Sequence, residues 1–485
     1  MKSKNNKFLI FLILLFVCGI NGCKKLVEID APYTSINAQN VYNTDATAAA
    51  VLTGIYSKIS VNNAGLSSEG DLGSFSLLLS LSADELTLFN KDNLNLYYFY
   101  TNALTSISPS PSSGFWTNIY SYIFIANSAI EGISNNTLLT ANVQRQLLGE
   151  AKFIRAYCYF YLVNLYGDVP LVLSTDPLKN ATLSRTSSDL VYKQVILDLK
   201  DAYDLLGSNY VAGDATSETT ERLRPTKWSA AALLARTYLY TKDYINAEAR
   251  ASLVINQSSL YQLTSLENVF LKNSMEAIWQ IQPVSVKTNA NTGEGQIFIL
   301  PSTGPDRDQY PVYLSDSLIG TFENQDQRLV KWVDSVNTTS GDYYYSYKYK
   351  VGANNPDGLI SEYLMIFRLG EQYLIRAEAR AQLGNISDAQ SDLNAIRKRA
   401  GLNNTSASTQ SELLSAILHE RQVELFTEGG HRWLDLKRTN KIDEVMNVVE
   451  PIKGGTWNSN WQLYPIPLQE LKSDPNLVQN PGYTN

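Results

Sequence analysis

Residues that most often do chemistry are scarce in this chain: 485 positions hold two histidines, His419 and His431, and three cysteines, Cys18, Cys23 and Cys158. Those counts rule out a histidine-rich metal centre and a scaffold of several disulfides. Charge is also thin. Charged residues make up 18%, against about 25% in ordinary soluble domains. The 40 Lys+Arg stand against 47 Asp+Glu, for a formal net charge of −7. An acidic chain repels the phosphate backbone, so nucleic acid is not an expected partner. With 27 Gly and 16 Pro, the sequence is neither collagen-like nor a low-complexity chain. What is abundant is tyrosine, 30 copies against 15 Phe. Tyrosine joins a flat apolar face to a hydrogen-bonding tip, which suits protein and sugar surfaces alike. Hydrophobic residues, at 44%, suffice for a large core in a chain of this length.

The one long apolar run lies at the start. Lys2, Lys4 and Lys7 form a basic head, followed by apolar Phe8 to Val17. That run is too short for a bilayer, which needs about 20 apolar residues, but fits the apolar region of a secretory signal. Gly22 directly before Cys23 resembles a bacterial lipobox. Residues 1–22 read as a lipoprotein signal peptide, Cys23 as the lipidation site, and residues 23–40, with Pro32, as a tether. Lipid on Cys23 attaches the chain to a membrane through buried CH₂ groups. Cys158 is then left without a cysteine partner.

Helical periodicity dominates the rest. Asp45 is positioned to cap a helix through Val51, Leu52, Ile55 and Ile59. Further helices run from Trp116 to Ile130, from Val143 to Leu165, where Gly167-Asp168-Val169-Pro170 stops it, and over 188–206. Two later segments look alike. Ala235 and Ala247 lie twelve apart, as do Ala377 and Ala389; Ala251 and Val254 follow the first pair as Leu393 and Ile396 follow the second. Small residues at those places let paired helices approach closely. The segments at about 227–256 and 364–400 resemble tetratricopeptide repeats, and the four earlier helices can make two more, degenerate pairs. Generic helical hairpins are the plainer reading. The expected fold class is all-α, about four repeat-like helix pairs in a single domain over 41–485, with long irregular insertions at about 62–115 and 257–362. Short β-like runs stand in the second insertion at Ala277 to Ile281, Gln296 to Leu300 and Tyr343 to Tyr349. Loops of that length usually form functional surfaces.

Catalytic motifs are missing. His419-Glu420-Arg421-Gln422-Val423 begins like a zinc-protease helix, but the second histidine is Val423. There is no phosphate loop, dinucleotide glycine pattern or Gly-x-Ser-x-Gly elbow. A glycosidase needs only two carboxylates, so a glycan hydrolase stays as the alternative of a different class. The helical carboxylates stand beside arginines, however. Glu371, Arg376, Glu378 and Arg380 form one set, Glu420, Arg421 and Glu424 another, at spacings that suit ion pairs on a helix surface. No catalytic residue, metal ligand or cofactor is assigned.

The C-terminal third is distinctive. It contains Arg368-Leu-Gly-Glu-Gln-Tyr-Leu-Ile-Arg-Ala-Glu-Ala, Leu393 to Leu402, Ile417 to Arg438, Leu463-Tyr-Pro-Ile-Pro-Leu-Gln-Glu and Gln479-Asn-Pro-Gly-Tyr483. These strings resemble the SusD/RagB family of Bacteroidetes outer-membrane lipoproteins, as do Asp84-Glu85, Trp116 to Asn127 and Gly149 to Pro170. The resemblance implies a helical fold with four repeat-like pairs and a variable face. It implies a non-catalytic, surface-exposed lipoprotein of the outer membrane that binds oligosaccharide and caps a TonB-dependent transporter of the SusC type. Some members bind peptides instead. In the C-terminal strings Trp433 reads as packing, with Arg421 and Arg432 paired to carboxylates. Surface-displayed members often carry acids after the lipidated cysteine, where this chain has Lys24 and Lys25.

Sugars offer C–H faces to aromatic rings and hydroxyl rims to Asn, Asp, Gln and Arg. Trp116, Trp228, Trp279 and Trp433 lie in helical, framework or apolar strings and are assigned to the core. Trp457 and Trp461 precede a framework string and are taken as structural. Trp332, in a polar neighbourhood, is the expected exposed ring. Asp306, Arg307, Tyr310 and Tyr343 accompany it in the second insertion, and Phe89, Asn90 and Tyr97 offer a similar mix in the first.

Overall fold

The computed structural model describes residues 41–61, 74–107, 111–284, 291–353 and 358–483. The expected signal peptide (1–22), Cys23 and the expected tether (23–40) lie outside these residues. Among the described residues no helix is long and apolar enough to cross a membrane.

Among the described residues thirteen helices of seven residues or more carry the frame, in chain order α1 Asp45–Val61, α2 Phe75–Ser82, α3 Leu94–Tyr100, α4 Pro111–Ile133, α5 Ala141–Tyr166, α6 Ser188–Leu205, α7 Lys227–Tyr240, α8 Tyr244–Ile255, α9 Leu369–Gln382, α10 Ile386–Arg399, α11 Gln410–Leu425, α12 His431–Arg438 and α13 Ile442–Lys453. Six strands form three two-stranded antiparallel ribbons. β1 Leu86–Leu88 pairs with β3 Val312–Leu314, β2 Ala277–Ile281 with β6 Leu364–Arg368, and β4 Val333–Thr338 with β5 Gly341–Ser346.

The helices stack in pairs: α1 on α4, α5 on α6, α7 on α8 and α9 on α10, with α6 against α7 and α8 against α9. The alanines singled out by spacing are at these seams. Ala235, Ala247, Ala251, Ala377 and Ala389 are all buried, and no side chain there holds the backbones apart. The long α5 ends at Gly167, whose φ of +71° turns the chain while its N–H still bonds the Val163 carbonyl. The main core is continuous from Tyr42 to Ile466. A second cluster, including Leu374, Leu393, Leu413 and Ile417, fills the wedge between α9, α10 and α11.

Three local expectations change. Asp45 does not cap α1; Thr44 accepts the Thr47 N–H at 3.2 Å, and the Asp45 carboxylate instead takes the N–H and hydroxyl of Thr140, both at 2.9 Å. The run Gln296 to Leu300 is not a strand, because Thr292 caps a short helix, Gly293–Phe298. The first insertion is not irregular throughout. It carries α2, buried at every position, and α3. A helix buried all round shows no polar face, so its period is invisible.

The expected helix-surface ion pairs are a further correction. The residues do pair, but between elements and in the interior. Arg236 grips Glu371 through two bonds of 2.7 Å. Arg376 and Arg380 take Asp392, Glu378 takes Arg438, and Arg421 takes Asp435. Glu420 pairs with Arg328 and Arg397, and Glu424 with Arg328, Arg368 and Arg399. Burial alone raises the Glu424 carboxyl, but Arg399, Arg368 and Arg328 outweigh it and hold it well below the usual carboxylate range. The helix faces that carry these charges are turned into the stack, so i,i+4 neighbours on one helix do not serve as partners.

Candidate binding face

The two insertions, far apart in sequence, meet at the β1–β3 ribbon. Leu86 faces Leu314 and Leu88 faces Val312. These four leucine and valine side chains are buried, which fixes the ribbon on the core and leaves its end to the solvent. The ladder continues one step, with the Phe89 N–H bonding the Pro311 carbonyl at 2.8 Å. Beyond it Asn90 closes a turn by accepting the Asp92 N–H at 2.8 Å. Asn93 caps α3 and donates its side-chain amide to the Arg307 carbonyl at 3.1 Å. The first insertion is therefore bonded to the second on both sides of Phe89.

The opposite wall is equally preset. Asp306 Oδ1 accepts the backbone N–H groups of Asp308, Gln309 and Tyr310 at 2.8, 2.6 and 3.0 Å. The Asp306 N–H closes the loop on the Tyr310 carbonyl at 3.0 Å. Gly304, with φ of +81°, lies against the β4–β5 hairpin; a Cβ there would stand 2.9 Å from Thr338 and 3.5 Å from the Tyr343 ring. Tyr343 completes the site. Its ring meets Phe89 edge to face at 5.9 Å and Tyr313 at 5.0 Å. Phe89 is 41% exposed, and Tyr310, Tyr313 and Tyr343 are half-buried. Edge-to-face contacts of this kind hold the rings in fixed orientations.

Phe89, Asn90, Asp306, Arg307, Tyr310 and Tyr343 thus come together in one face. Tyr97, on α3 beside them, is half-buried and packed against the core. Trp332 does not belong. It is fully buried, donates Nε1–H to the Leu266 carbonyl at 2.9 Å and stands edge-on to Phe270 at 5.5 Å. The cations of Lys348, Arg399 and Arg368 lie 5.0, 5.4 and 5.7 Å from its ring. Its polar sequence neighbours, such as Asp334, belong to the exposed side of β4, while its own ring turns into the core. Tyr313 was missed, because alternation in Val312-Tyr313-Leu314 shows a strand but not what its outward residue meets. The other tryptophans follow expectation: Trp116, Trp228, Trp279 and Trp433 are buried, and Trp457 is held edge-on against Trp433 by a 2.7 Å bond to Asp443.

Burial, and then Asp306, raises the Tyr310 phenol; burial, Tyr343 and Asp316 raise that of Tyr313. Among the described residues no group of three His, Cys, Asp or Glu is placed to hold a metal ion. Two hollows, of about 270 Å³ between α1 and the end of β2 and about 370 Å³ between α7, α9 and α11, lie elsewhere on the frame. Neither includes a residue of the aromatic face.

A stack of helix pairs that presents an open aromatic platform is the architecture of a surface-binding protein. Residues 320–483 match the SusD family, and residues 82–239 match the family described as "Starch-binding associating with outer membrane". These two matches, with the relatives and structures below, support a SusD-like protein. It is 26% identical over 549 residues to SusD-like protein P25 of Formosa agariphila, an alignment that takes in 100% of this chain and 99% of the relative. A SusD superfamily structure from Bacteroides vulgatus superposes with a TM-score of 0.76 at 20% identity, covering 90% of this chain and 99% of the other. A laminarin-binding SusD-like protein superposes at 0.71 with 23% identity, over 90% and 99%.

Proposed function

We propose that this chain binds oligosaccharide or polysaccharide at the outer membrane for uptake through a partner TonB-dependent SusC-like transporter, and does not cleave it. The observation that carries the reading is the exposed Phe89 ring set edge-on against Tyr343, with Asn90, Asp306 and Tyr310 around it. Rings fixed by backbone-bonded loops stack on sugar faces at little ordering cost. Starch is named in the description of the family matched by residues 82–239, and laminarin in a protein of the same fold. The same description supports association with the outer membrane. Lipid on Cys23 is the proposed anchor, and residues 41–485 the proposed single functional unit. The non-catalytic reading is supported by the arginine pairing of the helical carboxylates and by the three backbone N–H groups that occupy Asp306 Oδ1.

A glycan array with the mature protein tests binding, and reducing-end assays on the bound glycans test cleavage. Retained ligand without new reducing ends is the expected result; released fragments would favour the hydrolase. Co-purification in mild detergent with a large β-barrel protein tests the partner.

A further inference from the structure

We propose that Asn93 is a positioning residue that joins the two insertions into one binding site, so that a glycan long enough to reach both meets walls of fixed spacing. The inference rests on the glycan-binding reading and adds what sets the geometry of that site. Two rungs cross between the insertions. One is the Phe89 N–H on the Pro311 carbonyl, at 2.8 Å. The other lies four residues away along each segment, where Asn93 Nδ2 donates to the Arg307 carbonyl at 3.1 Å. Among the described residues no other hydrogen bond joins 90–95 to 304–310.

Each segment is stiff within itself. Asn90 accepts the Asp92 N–H at 2.8 Å, and the Asn93 N–H reaches the Asn90 carbonyl at 3.2 Å. On the other side Asp306 gathers the N–H groups of Asp308, Gln309 and Tyr310, and its own N–H closes on the Tyr310 carbonyl at 3.0 Å. A turn closed on itself in this way swings as a unit about its ends, Gly304 and Pro311, unless its tip is held. Asn93 holds it.

The half-buried Asn93 side chain has a second task. Its Oδ1 accepts the Leu96 N–H at 3.4 Å as the cap of α3, while its Nδ2 serves Arg307. An amide puts acceptor and donor on separate atoms; a carboxylate of the same shape has acceptors only. That distinction separates the two tasks by substitution. Asn93→Asp keeps the cap, because Asp and Asn cap helices equally well, and sets a carboxylate oxygen against the Arg307 carbonyl. Asn93→Ser also keeps the cap, adds no charge, and is one bond too short to follow the amide to Arg307.

In either variant the loop of Arg307 and Tyr310 is released from the turn of Phe89. A hydrogen bond of ordinary net strength changes the population of the held loop by about threefold to tenfold. Apparent affinity falls with the fraction that stays competent. A sugar fragment that touches one wall alone does not need the link and loses nothing.

The test uses the mature full-length protein and the two variants. A glycan array identifies the best neutral ligand, and calorimetry then follows affinity along a ladder of its fragments, with maltooligosaccharides and laminarioligosaccharides as the first probes. In wild type, affinity should rise with length until both walls are reached. In both variants the shortest fragment that wild type binds measurably should bind equally well, and the longest about threefold to tenfold more weakly. Melting temperatures should stay within about two degrees of wild type. Variants that bind every fragment as wild type does overturn the inference and leave the glycan reading standing. A loss equal on short and long fragments marks a merely structural role for Asn93 and overturns the inference too. Wild-type protein that binds nothing on the array overturns both readings.

Discussion

Arg432 on α12 holds Asp84 through two parallel bonds, Nε to Oδ1 and Nη2 to Oδ2, both 2.7 Å. Asp84 is two residues before β1, and β1 delivers Phe89. The pair therefore ties the C-terminal helices to the root of the binding face. Both side chains are buried, so removing one strands the other's charge. Arg432→Ala should cost about 3–5 kcal/mol of stability. Lysine cannot restore the two-pronged geometry, so Arg432→Lys should recover less than half. Chemical denaturation of both variants measures this; a loss under 1 kcal/mol for the alanine variant would contradict the assignment.

Phe89 and Trp332 should separate binding from stability. Phe89→Ala and Tyr343→Ala should each weaken glycan binding about fivefold, near 1 kcal/mol, with melting almost unchanged. Trp332→Ala empties a core site beneath three cations and should cost about 3–5 kcal/mol of stability. Its folded fraction should bind as the parent does. Parallel melting and calorimetry decide; the opposite pattern would return Trp332 to the face.

Glu85 gives the fold a pH dependence. Burial first, with Asp84 beside it, pushes its carboxyl up to about 7 in spite of the Ser80 hydroxyl bond. The folded state then holds a proton that the unfolded chain releases near pH 4.5. The cost of charging Glu85 is absent below the unfolded value and complete above pH 7, so stability contributed here falls as pH rises between the two. Going from pH 8 to pH 5, wild type should gain about 2–3 kcal/mol relative to Glu85→Gln. Lys348 and Lys453, lowered by burial to about 8, titrate mainly above this window. Equal pH profiles for the two proteins would rule the mechanism out.

Gly430 is irreplaceable for two reasons. Its φ is +73°, and a Cβ would fall 2.2 Å from Leu79 Cδ1 and 2.7 Å from Leu79 Cβ on α2. Gly430→Ala combines left-handed strain with overpacking, and should destabilise by about 2–4 kcal/mol. Gly54→Ala, in α1 with nothing within 4 Å, is the control and should be neutral or slightly stabilising. Melting temperatures of the pair test both.

The legibility of the sequence follows its periodicity. Amphipathic helices with small seam residues, such as those bearing Ala235 and Ala377, were readable because one stripe is apolar and the turn residues punctuate it. α2 was not, since Phe75 to Ser82 is buried on every side. Of the face, Phe89 and Tyr343 were readable as residue types in long insertions. Their meeting was not, because it depends on Leu86 pairing with Leu314, a contact across more than two hundred residues that no local pattern encodes. Trp332 shows the converse. Its neighbours in sequence are polar, while its neighbours in space are Phe270 and the buried cations.

The β1–β3 ribbon also sets a schedule for the growing chain. Phe89 is made early, but its strand partner arrives with Val312, its ring partner with Tyr343, and the arginine that holds its root with Arg432. A chain halted anywhere before that arginine lacks a clamped platform. The complete Phe89–Tyr343 face is thus a property of the nearly finished polypeptide, since its last tie is made more than three hundred residues after Phe89.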